Sequence, residues 1–72
     1  MSDISVHDVK KKYQSKIMRI KGVVGIGVGK DEEQDAIVVF IMERTTVIEK
    51  KVPKELKGFP VIVHEIGIVS AL

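Results

Sequence analysis

Ala36-Ile37-Val38-Val39-Phe40-Ile41-Met42 is the stretch on which the reading of this chain turns. Every position is apolar, and β-branched and aromatic residues dominate it, so it reads as a strand. Strand side chains alternate between two faces. A strand that is apolar on both faces asks for cover on both. The chain has 72 residues, and a domain of that size buries only ~60% of the surface its unfolded chain exposes. It can hardly supply two covering layers. The expectation is a small sheet with one covered face and one face that needs a partner.

Two more strands flank this one. Val23-Val24-Gly25-Ile26-Gly27-Val28-Gly29 alternates, with Val24, Ile26 and Val28 on one face and Gly25, Gly27 and Gly29 on the other. Lys30 to Asp35 is polar and short, which predicts an antiparallel hairpin into Ala36 to Met42. Phe59 to Val69 is the last strand, built on Pro60-Val61-Ile62-Val63. Val61 and Val63 share one of its faces; Ile62, His64 and Ile66 share the other. Gly67 marks a bulge or the weak end of that strand.

Before the first strand, Ser5 to Lys21 predicts an amphipathic helix. Val6, Val9, Tyr13, Ile17 and Ile20 recur at helical spacing. Ser5 with Asp8 fits a capping box, and Ile4 with Val9 a hydrophobic staple. Lys16, Arg19 and Lys21 favour the C-terminal end through the helix dipole, and Gly22 is read as the terminator. Thr45 to Lys57 has two readings. Thr46 and Glu49 fit the cap of a short helix, whereas Thr45 to Val52 also fits an extended edge segment. Pro53-Lys54-Glu55-Leu56-Lys57 before Gly58 suits a single helical turn, with proline first and glycine after the end.

Together these elements predict an α+β fold over residues 1–72 as a single small domain, with two layers in the order α-β-β-α-β. A three-stranded sheet carries the helices on one face. Long parallel βαβ windings do not fit the length. The uncovered face carries either Val24, Ile26 and Val28 or the glycines. A glycine row lets a helix approach closely, which argues for the valine and isoleucine side facing outward, beside Val38 and Phe40 or Ile37 and Val39.

Composition narrows the function classes. There is no cysteine, so neither disulfides nor thiolate metal ligands can reinforce the domain. The polar start Met1-Ser2-Asp3 predicts no secretory leader, and no apolar run approaches the ~20 residues of a membrane span. The expectation is a soluble cytoplasmic protein, or part of a larger intracellular assembly, without a membrane partner. Net charge is only +2, but its distribution is uneven. From Val9 to Lys30 there are seven basic residues and no acidic one. Asp31-Glu32-Glu33-Gln34-Asp35 follows at once.

The motifs carry little chemistry. A phosphate-cradling glycine loop lies between a strand and the helix that follows it. Here the helix precedes the glycines, and no Gly-Lys-Ser/Thr follows. Lys10, Lys11, Lys12, Lys16 and Arg19 form a candidate basic patch for nucleic-acid phosphates. Tyr13 is the only aromatic residue there and is needed on the apolar stripe, so a solvated helix face is the simpler reading. His7 and His64, the only histidines, have no partner at metal-ligand spacing. The acidic loop lacks the glycine and terminal glutamate of a calcium loop. Ser2, Ser15 and Ser70 have no histidine or acid at helical or strand spacing, and Ser5 serves as a cap. No catalytic triad forms. The expectation is no enzyme, no cofactor and no metal.

Three segments carry a resemblance: Gly22-Val23-Val24-Gly25-Ile26-Gly27-Val28-Gly29, then Ile37-Val38-Val39-Phe40-Ile41, then Val52 to Val63. They resemble a small α/β module found beside or within some prokaryotic trypsin-like peptidase proteins. The resemblance spans Lys21 to Gly67 and rests on structural positions; no peptidase catalytic residue is present to carry over. The element order is also similar to the alpha-lytic protease pro-domain, a fold shared with the prokaryotic KH domain. The KH loop joins two helices, whereas Gly22-Val23-Val24-Gly25 joins a helix to a strand, against RNA binding by that route. The resemblance implies a pro-domain-like folding helper. The apolar residues imply instead a non-enzymatic interaction module, a homo-oligomer or a partner of a larger protein, with Val24, Ile26, Val28, Val38 and Phe40 as the interface.

Overall fold

The structure is a computed structural model that describes residues 4–67. The leader reading at Met1 to Asp3, the strand end at Val69 and Ser70 lie outside the described residues. The order is α1 (Val6–Met18), β1 (Val23–Asp31), β2 (Gln34–Ile41), α2 (Thr46–Lys51), β3 (Glu55–Leu56) and β4 (Phe59–Glu65). The α+β class and the short hairpin hold. The sheet has four strands rather than three, in the order β1-β2-β4-β3.

The helix cap is where the sequence puts it. Ser5 Oγ accepts a hydrogen bond from the Asp8 N–H at 3.1 Å, satisfying a first-turn donor. The staple does not bury Ile4, which stays 48% exposed. The helix also stops earlier than the apolar stripe does, with Arg19 as C-cap. Gly22 serves a separate turn in which Ile20 O accepts from the Val23 N–H at 3.1 Å. Its φ of +100° suits glycine, and an added Cβ would stand 3.2 Å from Ile48 Cδ1.

The first hairpin pairs further than expected, through Lys30↔Asp35 to Asp31↔Gln34. Only Glu32 and Glu33 remain as a tight tip, with Glu32 at φ 60°. Of the two readings of residues 45–52, the helix is the one that forms. Its N-cap is Thr45 rather than Thr46, and Thr45 Oγ1 accepts from the Ile48 N–H at 3.2 Å.

The helical turn expected at Pro53–Lys57 is instead half of a second hairpin, Glu55–Leu56 against Phe59–Pro60. Its tip is Lys57-Gly58, both with positive φ, 51° and 88°. Two successive positive φ values are the requirement of a type I′ hairpin turn. A glycine that accepts positive φ marks a helix end and a hairpin tip equally well, so the composition alone pointed to the wrong one.

β2 and β4 pair in parallel, from Ile37↔Val61 to Ile41↔Glu65. This corrects the expectation that a parallel winding would not fit. A crossover needs about a dozen residues, and residues 42–58 suffice because α2 is short. β2 is thereby an inner strand, between β1 and β4, and its apolar run is Ala36 to Ile41. On its helix side Ile37, Val39 and Ile41 are fully buried, together with Val6, Val9 and Ile17 of α1 and Ile48 and Val52 around α2. Both helices lie on that one side, as expected.

Candidate functional site

The register decides which sheet face stays open. Val23 pairs with Ile41, but the next pair is Gly25 with Phe40, so Val24 is an extra residue in a β-bulge. The bulge breaks the alternation. Val23, Ile26 and Val28 all pack toward the helix-side core, while Val24 stands apart and exposed. The expected outward face of Val24, Ile26 and Val28 is therefore corrected: Ile26 and Val28 belong to the interior. Val38 and Phe40 do lie on the open face.

That open face is floored by glycine. Across the strands the pairs Gly25↔Phe40 and Gly27↔Val38 continue into Phe40↔His64 and Val38↔Ile62. The glycines do not admit a helix; they admit the Phe40 ring. An added Cβ would meet Phe40 Cδ2 at 3.6 Å from Gly25 and Phe40 Cε2 at 3.4 Å from Gly27. An aromatic ring laid across a neighbouring strand's glycine shields backbone that has no side chain of its own. On its other flank Phe40 meets His64 edge-on, with ring centroids 5.7 Å apart and planes at 79°. By alternation from these pairs the centre of the face comprises Gly25, Gly27, Gly29, Ala36, Val38, Phe40, Ile62 and His64, without lysine, arginine, aspartate or glutamate, while Asp31 and Gln34 at the hairpin end and Glu55, opposite Pro60, stand at its margin.

The candidate basic patch is divided. At about 100° per residue, Lys12, Lys16 and Arg19 fall on one flank of α1, and Lys10 and Lys11 on the other. Lys12 sits over the Tyr13 ring, Nζ 5.8 Å from its centroid. Lys16 and Arg19 border a groove between α1 and α2 that also takes in Lys21 and Lys51. This gathering of α1 and α2 cations was not read from the sequence, because it depends on how α2 docks. Of the acidic tip, Asp35 pairs with Lys30 at 2.7 Å in an exposed contact, worth ~0–1 kcal/mol.

Among the described residues no polar or charged side chain is buried, and no three histidine, aspartate or glutamate side chains gather. His7 and His64 remain apart from any such cluster. No helix among the described residues is long and apolar enough to cross a membrane. Comparison with protein-family models, curated proteins and solved structures finds no match.

Proposed function

We propose that this chain is a non-enzymatic association module, and that a second copy covers the open face of its sheet. The observation that carries this reading is the apolar centre of the sheet face, Phe40, Val38 and Ile62, on the side opposite both helices. Two identical faces that bore like charges at their centre would repel when apposed; here the carboxylates, Asp31 and Glu55, stand only at the margin. Three strands spaced ~4.8 Å apart, with ~3.3 Å per residue over about seven residues, present roughly 330 Å² in projection. A standard interface buries roughly 800 Å² on each partner, so the association is a reversible, concentration-dependent one.

Light scattering across a concentration series tests this. The wild-type chain is expected to gain mass as concentration rises, and Phe40→Asp to remain a folded monomer. A wild-type chain that stays monomeric throughout overturns the reading. So does a Phe40→Asp variant that associates as the wild type does, since the contact would then lie elsewhere, for instance along the free edge of β1.

A further inference from the structure

The groove between α1 and α2 lies on the helix side of the sheet, away from the proposed association face. It has a volume of about 580 Å³, within the ~300–1,000 Å³ of small-molecule pockets. Tyr13, Ile17 and Ile20 of α1 and its continuation form one wall; Val47 of α2 and Leu56 of β3 form the other. Val47 is otherwise hard to account for, an aliphatic side chain 44% exposed on a short helix.

The rim is as one-sided as the walls are apolar. Lys16, Arg19, Lys21 and Lys51 border the groove, and no aspartate or glutamate does. Among the described residues the one ion pair is Lys30 with Asp35, on the distant hairpin tip. The four rim cations thus have no carboxylate among the described residues within ion-pair distance. In a chain with 12 basic and 10 acidic residues, four neighbouring cations without an acid are not what even mixing gives. Like charges brought together around an apolar cleft repel one another, and a bound anion relieves that repulsion.

From these two features we infer that the groove binds a small amphiphilic anion, an alkyl carboxylate whose hydrocarbon lies between α1 and α2 and whose head group meets the rim. The apolar walls alone would take a neutral alkyl chain, and the cations alone would take any anion. The combination selects a molecule with both parts. Arg19 supplies the planar donor fork that matches a carboxylate, and Lys16, Lys21 and Lys51 act as point charges. Binding of the head group is expected to weaken with salt, because the rim is exposed.

Titration of the whole chain with octanoate, followed by amide and methyl NMR, tests the inference. Shifts are expected at Ile17, Ile20, Val47 and Leu56. Each buried methylene is worth about fourfold in affinity, so hexanoate, two methylenes shorter, is expected to bind roughly fifteenfold more weakly than octanoate. Val47→Asp, at an exposed site, is expected to weaken octanoate by about tenfold or more while leaving the spectrum of a folded chain. The double variant Lys16→Ala, Lys51→Ala is expected to weaken octanoate but not octanol. Three results would overturn the inference: no shift at the groove with octanoate, equal binding of octanol, or the same shifts with inorganic phosphate alone. Shifts confined to Phe40, Val38 and Ile62 would also overturn it, and would point to the association face instead.

Discussion

The two faces of β2 differ in what buries them, although from Ala36 to Ile41 both are built from apolar residues. Ile37, Val39 and Ile41 are covered by α1 and α2 and have no exposed surface. Val38 and Phe40 are only half-buried, sheltered by glycine floor and neighbouring strands. Hydrophobicity therefore marks a strand as interior without saying whether its own chain supplies the cover. One face completes the fold; the other is left with apolar surface beyond what the chain can bury.

Adjacent truncations break or sharpen this contrast most directly. Ile37→Ala removes a fully buried side chain and is expected to cost ~2–5 kcal/mol. A domain below ~80 residues rarely holds more than ~3–5 kcal/mol from a single core, so this variant is expected to be largely unfolded. Val38→Ala is expected to cost about 1 kcal/mol or less in dilute solution, and more as concentration rises and a second copy covers the face. Urea denaturation at two protein concentrations reads both. Equal costs at low concentration would mean that both faces are closed within one chain.

The glycine row supplies a smaller, signed version of the same test. Glycine inside a strand costs roughly 0.5–1 kcal/mol in backbone freedom relative to alanine. At Gly25 a Cβ meets the Phe40 ring at an ordinary 3.6 Å, so Gly25→Ala is expected to stabilise the monomer by about 0.5 kcal/mol. At Gly29 the Cβ would come within 2.9 Å of Val38 Cγ2, so Gly29→Ala is expected to gain nothing or to lose stability. Thermal denaturation distinguishes them. Identical effects would mean that Phe40 and Val38 do not lie over the glycines as described.

What the sequence made legible was periodicity and capping. The apolar stripe from Val6 to Ile20, the Ser5 cap and the apolar run Ala36 to Ile41 of β2 each state their role within a few residues. What it concealed depends on register. Strict alternation puts Val24, Ile26 and Val28 on one face; a bulge takes Val24 off it, and pairing of Ile26 with Val39 and of Val28 with Ile37 puts the other two on the helix side. The glycines then looked like room for a helix, when Gly25 and Gly27 are room for Phe40, far along the chain, a pairing fixed only by the hairpin. The second hairpin was hidden for a different reason: Pro53 and Gly58 punctuate a helical turn and a strand pair alike. The cationic groove was invisible because Lys51 meets Lys16 and Arg19 only after α2 has docked.

Lys57 offers a change that neither face should feel. It occupies the first central position of the β3–β4 turn at φ 51°, a conformation that costs an ordinary L-residue roughly 1–2 kcal/mol and that asparagine tolerates better. Asn-Gly is also the preferred pair for a type I′ turn. Lys57→Asn is expected to stabilise the chain by about 0.5 kcal/mol, which in a domain of this size is roughly 2–4 °C in Tm. Because Lys57 lies at a hairpin tip that meets β2 at Gln34, whose Nε2 donates to Gly58 O at 3.4 Å, and not at Val38 or Phe40, the gain is expected to be the same at every protein concentration. A gain that grew with concentration would place the tip in the contact between copies, and the uncovered face around Phe40 would no longer account for association alone.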